Sequence, residues 1–244
     1  MVAAIGARQK RDGIRGNVAE IGVHHGKLFI LLYLLTKADE QGVAIDLFSL
    51  QHLNTDRSGR GSLAQFLTNL RRHADTDRVT VHEGDSTALD GPILVRLGGG
   101  PFRLISIDGG HTAEITLADL RTAESALAPG GVVILDDCFN ESWPGVSDGV
   151  HRYFSESPAV VPFAIGGNKV LFCRAASVAT YVDALRAAVP KSVDHSFLGS
   201  PVVCLDFSPF SWAVYISQQR WWGAMRETGL GHAIRGVYKL AARR

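Results

Sequence analysis

The stretch whose reading decides the fold is Asn17-Val18-Ala19-Glu20-Ile21-Gly22-Val23-His24-His25-Gly26-Lys27. It reads as a buried strand turning sharply into a helix, with an acid just before the turn and two glycines four apart within it. Such a turn presents bare backbone amides at a helix N-terminus, where a nucleotide-like cofactor can approach without meeting a Cβ. The glycine spacing restricts which cofactor fits. A dinucleotide fingerprint needs G-x-G-x-x-G, whereas position 24 is a histidine, so a pyrophosphate lacks its usual seat. Glu20 is placed to accept from an ammonium group and the turn amides to meet a carboxylate, which are the two ends of an amino acid. His24 and His25 are expected to matter through their backbone more than through their imidazoles.

Working outward, strand-length apolar runs at residues 18–21, 43–48, 79–82, 102–107 and 132–135 alternate with helix-length amphipathic segments at 27–38, 62–74 and 113–127. That alternation is the pattern of a parallel sheet covered on both faces. Residues 160–165 and 169–173 are separated only by Gly166-Gly167-Asn168. So short a link cannot hold a crossover helix, and the two runs must be antiparallel neighbours. The expected fold is therefore α/β: a Rossmann-like, seven-stranded, mostly parallel sheet ending in an antiparallel hairpin, with helices on both faces, over residues 1–176. From residue 177 the pattern stops. A short helix at 180–189, a loop-like stretch at 191–209 and a helix at 211–228 are expected there. The aromatics Trp212, Tyr215, Trp221 and Trp222 make this extension, 177–244, a lid or a dimerisation element, or else a layer packed on the domain's own sheet. About sixteen residues precede the first strand, which leaves little room for covering helices on that side.

Composition narrows the function. A formal net charge of +1 over 244 residues is no polyelectrolyte signature, so nucleic acid is a poor partner. Cys138, Cys173 and Cys204 are scattered and lack CxxC spacing, which fits a reducing compartment without disulfides or zinc. The longest apolar run, residues 28–35, is too short for a bilayer, and the first residues show no secretory h-region. A cytoplasmic protein without membrane association is expected, and a homodimer.

Taken in order, AEIGVHHGK (19–27), AIDLF (44–48), EGDS (83–86), ISIDGGH (105–111), LAPGGVVILDD (127–137) and the final hairpin resemble the class I S-adenosylmethionine-dependent methyltransferases. Within them the chain is similar to the metal-dependent branch near the macrolide-sugar O-methyltransferases and cephalosporin-hydroxylase-like proteins. The resemblance spans about residues 17–174. It implies that Glu20, Gly22, Val23 and Gly26 surround the methionine part of S-adenosylmethionine, whose amino-acid ends the first turn already suits. It also implies that Asp46 binds the ribose, that Asp85 and Ser86 lie near the adenine, and that Asp108 borders the cofactor. On the residues alone, Asp46 could instead cap a loop and Asp85-Ser86 form a turn pair.

Three carboxylates, Asp108, Asp136 and Asp137, fall at the ends of two adjacent strands. Uncompensated, their repulsion would raise at least one pKa. A divalent cation relieves this, and oxygen ligands favour Mg²⁺, Ca²⁺ or Mn²⁺, with Mg²⁺ the expected ion. Otherwise Asp137 caps the next loop and Asp108 supports the Gly109-Gly110 turn. His111, three residues after Asp108, suits a general base for a hydroxyl, a role that the resemblance also implies; the alternative is an N-cap of the next helix. The expected function is metal-assisted O-methylation of a small-molecule hydroxyl, such as a sugar or another natural-product acceptor, with His111 and Asp108 at the reaction. Trp143-Pro144-Gly145-Val146 is a candidate wall of the acceptor pocket and residues 51–61 a candidate lid, or an exposed polar loop. Competing readings are metal-independent N- or C-methylation, a nicotinamide-dependent oxidoreductase, and a non-catalytic binding protein.

Overall fold

The computed structural model describes residues 1–189 and 191–207. Nine strands form one sheet in the order β3-β2-β1-β4-β5-β7-β6-β9-β8. They are β1 (Asn17–Ile21), β2 (Gly42–Asp46), β3 (Val79–Glu83), β4 (Phe102–Ile107), β5 (Leu127–Leu135), β6 (Val160–Gly166), β7 (Lys169–Arg174), β8 (Ser192–Phe197) and β9 (Ser200–Leu205). The first five are parallel, and the strand order reverses between β1 and β4. Such a switch point opens a crevice at the carboxyl ends of the strands. β7 pairs antiparallel with β5 and with β6, as the short link required. Gly167 and Asn168 both have positive φ (57° and 67°), the condition for a two-residue type I′ hairpin turn.

Among the described residues seven α-helices accompany the sheet: α1 (Val2–Arg11), α2 (Lys27–Leu34), α3 (Leu63–Arg71), α4 (Gly91–Gly98), α5 (Ala113–Ala126), α6 (Pro144–Ser155) and α7 (Val178–Ala188). Alternating strand residues divide between the two faces, as the period of two demands. Ile21, Ile45, Ile107 and Val133 pack with Leu94, Leu120 and Val150 of α4, α5 and α6. Val18, Leu104, Val132 and Leu171 pack with Ile5, Tyr181 and Leu185 of α1 and α7. Phe29 of α2 and Phe66 and Leu70 of α3 complete the second face around Ala44 and Phe48.

Several expectations need correction. The sheet has nine strands, not seven, because the stretch read as loop at 191–209 holds the β8–β9 hairpin, and β9 pairs parallel with β6. β8 is largely exposed and polar, so it carries no apolar run. Its turn, Leu198-Gly199, takes positive φ at both residues without the usual asparagine or aspartate. Helices α1, α4 and α6 were not anticipated; α1 lies within the sixteen residues judged too few for cover. The helix expected at 211–228, with Trp212, Tyr215, Trp221 and Trp222, lies outside the described residues. Among the described residues no helix is long and apolar enough to cross a membrane.

Among the described residues Glu20, Glu40, Arg103 and Asp119 are ionisable side chains buried in the otherwise apolar interior. Arg103 of β4 is 1% exposed and spans Glu40, which it meets at 2.9 Å, Gln9 at 2.8 Å and the Leu35 carbonyl at 2.7 Å. Asp119 of α5 is also 1% exposed, and neither carboxyl oxygen meets a partner in hydrogen-bond geometry among the described residues, the Ser86 hydroxyl being its polar neighbour. Burial raises its pKa to about 7, against the lowering influence of the Ser86 hydroxyl.

Removing one partner of the buried pair leaves the other charge desolvated and alone. Arg103→Ala is therefore expected to cost about 3–5 kcal/mol of stability, read by denaturant unfolding, whereas the paired replacement Arg103→Met with Glu40→Leu should cost much less. For Asp119 the sign runs the other way from a salt-bridged acid. The folded protein binds this proton more tightly than the unfolded chain, so the group's contribution is present below the unfolded pKa and is lost as pH rises through about 7. Asp119→Asn should gain on the parent protein by several degrees in melting temperature between pH 5 and pH 8; a pH-independent difference would contradict this.

Candidate active site

A cavity of about 1200 Å³ lies at the carboxyl ends of the parallel strands. Its lining includes Glu20, Gly22, Val23, Asp46, Asp85, Ser86, Asp108, His111, Asp136 and Asp137. Of the residues expected at the cofactor, the metal or the reaction only Gly26 stands back from it, and of the expected acceptor wall Trp143 lines it while Pro144, Gly145 and Val146 do not. Gly26 caps α2 with φ of 86°, and a Cβ there would fall 2.7 Å from the Phe66 ring.

One half of the cavity is built by the turn after β1. Gly22 has φ of 85°, and a Cβ on it would lie 1.8 Å from the Asp108 carbonyl oxygen. No side chain can occupy that position without parting β1 from β4. Glu20 is 2% exposed and its Oε2 has no partner among the described residues. Burial, with the Asp108 charge adding to it, raises its pKa well above the ordinary value. A buried carboxyl with an unmet oxygen at a cavity wall is a seat for a cationic donor. Asp46 ends β2 and accepts from the backbone N–H of His24 at 2.6 Å and of Phe48 at 2.8 Å. His24 thus acts through its backbone at this contact, from a left-handed conformation with φ of 50°. Each Asp46 oxygen keeps a further lone pair for a ligand. Asp85 accepts from the Thr87 N–H and hydroxyl at 2.9 and 2.8 Å, so the turn-pair reading describes its local bonding.

The other half is acidic. The Asp108 N–H bonds the Ile21 carbonyl at 2.8 Å and the Asp136 N–H bonds the Ile107 carbonyl at 2.9 Å, which carries the strand ladder up to the acids. Burial first, then Asp136, raises Asp108 to about 6, with Lys169 opposing. The three acids do not stand as equals. Asp136 is ion-paired to Lys169, the first residue of β7, and Asp137 accepts from the Asn168 side chain. The group whose ligand atoms lie within 4.8 Å of one another is Asp108, His111 and Asp137.

His111 is held on every side. Its backbone N–H and its Nδ1 both meet Asp56 Oδ2, at 2.6 and 2.8 Å. Its Nε2 lies 3.2 Å from Asp137 and 4.0 Å from Asp108, a position between carboxylates suited to a proton or a cation. Trp143 stacks on the ring at 4.3 Å between centroids and 20° between planes. The N-cap of α5 is Thr112, whose hydroxyl accepts from the Ile115 N–H, so His111 is not the cap. Asp56 and Lys169 were missed from the sequence. Lys169 was within reach, since the β5–β7 register pairs Leu135 with Val170 and so sets residue 169 beside residue 136. No spacing rule links residue 56 to residue 111.

A family described as a methyltransferase domain matches residues 19–138. No curated protein matches the sequence. Among solved structures, the O-methyltransferase NovP is similar, with 19% identity, 70% of this chain and 76% of that one covered, and a TM-score of 0.56. The calicheamicin methyltransferase CalS11 gives 17% identity, coverage of 71% and 78%, and a TM-score of 0.53. TomG of Streptomyces achromogenes, an O-methyltransferase of tomaymycin synthesis solved with S-adenosylmethionine, gives 18% identity, coverage of 71% and 80%, and a TM-score of 0.51. At these identities the structural likeness is one of fold. The family match takes in the turn after β1 and all three acids at the ends of β4 and β5. Residues 19–138 thus match a methyltransferase-domain family, and the fold around them is the one shared by the O-methyltransferases NovP and TomG.

Proposed function

We propose that this protein transfers the methyl group of S-adenosylmethionine to a hydroxyl of a small-molecule acceptor, with His111 as general base. The observation that carries this reading is a single cavity joining a seat for an amino-acid cofactor to a fixed imidazole. Glu20 would take the cofactor ammonium, the Gly22–Gly26 turn its carboxylate, Asp46 the ribose, and Asp85 and Ser86 the adenine side. The acceptor would enter beside His111 and Trp143. Nε2 would take the hydroxyl proton as the oxygen attacks the sulfonium methyl, giving a methyl ether and S-adenosylhomocysteine. Because the sulfonium is already a strong donor, the protein's contribution is alignment of the two reactants and exclusion of water.

The acid cluster fits a divalent cation such as Mg²⁺ in donor chemistry, oxygen ligands gathered at one mouth of the sheet. Asp108 and Asp137 would hold it, and Asp136 could join on leaving Lys169. Bound there, the ion would supply Lewis acidity to an acceptor oxygen. The structural neighbours NovP, CalS11 and TomG, all methyltransferases, support a natural-product hydroxyl as acceptor; CalS11 is a TDP-rhamnose 3′-O-methyltransferase. For this chain a sugar diol or a catechol-like ring is the proposed class. α7 and β8–β9 belong to the sheet domain itself, packing on it and extending it, rather than to a lid or dimer contact.

The test is transfer of labelled methyl from S-adenosylmethionine to a panel of sugar diols and catechols. His111→Ala should lower turnover by at least about 10²-fold while S-adenosylhomocysteine affinity stays within a few fold. Chelation should reduce the rate, and added Mg²⁺ restore it. Full activity in His111→Ala would remove the base assignment, and chelator-insensitive turnover the metal.

A further inference from the structure

The residue that fixes His111 comes from the far side of the cavity. Asp56 lies in the segment between β2 and α3, fifty-five positions away in sequence. The segment is held by its own side chains. The Asn54 amide bonds the Ser58 and Gly59 carbonyls at 2.6 and 3.2 Å, and the Gln51 amide bonds the Phe48 carbonyl at 2.9 Å. Asp56 divides its oxygens: Oδ1 accepts from the Ser58 N–H at 2.8 Å, and Oδ2 accepts twice from His111. The same segment closes on the cofactor half. A Cβ at Gly61 would fall 2.6 Å from Asp46 Oδ1, and one at Gly59 would fall 3.4 Å from the His24 ring.

We propose that Asp56 is a positioning residue for methyl transfer: it holds the Nδ1–H tautomer and the ring plane of His111, so that Nε2 faces the acceptor. The segment that carries it ties the cofactor half of the cavity to the base. An imidazole that accepts a proton at one nitrogen must carry its own proton on the other, and a carboxylate on that proton fixes both tautomer and orientation. Trp143 limits tilt of the ring but cannot select a tautomer. Asp137, 3.2 Å from Nε2, competes for a proton there. Asp56 is closer to the ring at 2.8 Å and also holds the His111 backbone N–H, which makes it the stronger selecting group. The inference rests on the reading of His111 as the base.

Asp56→Asn keeps the size of the side chain and an oxygen for the His111 backbone N–H. It also offers an amide donor to Nδ1, which favours the opposite tautomer. The expected result is a fall in kcat of about 10²–10⁴-fold, with KM, S-adenosylhomocysteine affinity and melting temperature little changed. Asp56→Glu should recover part of kcat. Independently of turnover, ring-nitrogen NMR of ¹⁵N-histidine protein at pH 9 with S-adenosylhomocysteine should show His111 protonated at Nδ1 in the parent protein and at Nε2 in Asp56→Asn, the signal being assigned by its loss in His111→Gln. An unchanged tautomer, or kcat within a few fold of the parent, would overturn the proposal. Absence of methyl transfer by the parent protein on any acceptor would instead count against the function, and the ring spectra would still decide the role of Asp56.

Discussion

Gly22 sits against the carbonyl of Asp108 so closely that a single added carbon would overlap it. This contact lies where the strand order reverses between β1 and β4, the one place where neighbouring connections leave the sheet in opposite directions. The close approach brings the glycine turn, which lines the cavity, within reach of the first acid of the cluster. Separating the two strands by the width of a methyl group would open the cavity floor and move Asp108 away from the glycine turn and Glu20. The site therefore depends on a backbone-to-backbone distance before it depends on any side chain.

The second constraint is charge. Glu20, Asp108, Asp136 and Asp137 share one mouth of the sheet, and burial raises two of them. Compensation is unequal. Lys169 neutralises Asp136 from β7, while Asp56 and Asp137 bracket His111 from opposite sides. Burial works against the Asp56 charge, yet hydrogen bonds from Ser58 and His111 outweigh it and hold that acid at about 2. Asp56 is therefore a firm anion, whereas Asp108 is poised to gain or lose a proton near neutrality. A cationic cofactor and a divalent ion are both groups that such an imbalance would draw in.

The parallel core and the hairpin β6–β7 were legible because they rest on local signals: apolar runs, a glycine turn with a fixed spacing, and a link too short for a crossover. The acids at strand ends were legible for the same reason, since strand order places them. β8–β9 escaped because β8 is polar and exposed and its turn uses leucine at a left-handed position. Helix α1 escaped because its buried residues, Val2, Ile5, Gly6 and Gln9, include a glutamine that serves Arg103 and a glycine packed on Leu35. At the site, sequence order suggested three equivalent acids. The fold replaced Asp136 by His111 in the close group because β7 delivers Lys169 to Asp136. Asp56 was invisible because a loop residue finds its partner only through the tertiary path of the segment that carries it.

The measurement that tests the account most directly is calorimetric titration of the purified protein with S-adenosylhomocysteine, with NADH as the control ligand. Binding of S-adenosylhomocysteine in the micromolar range or tighter is expected, with no heat from NADH. Binding of NADH, with none of S-adenosylhomocysteine to the folded protein, would contradict it, since the turn after β1 would then be serving a different cofactor from the one proposed for its glycines and Glu20.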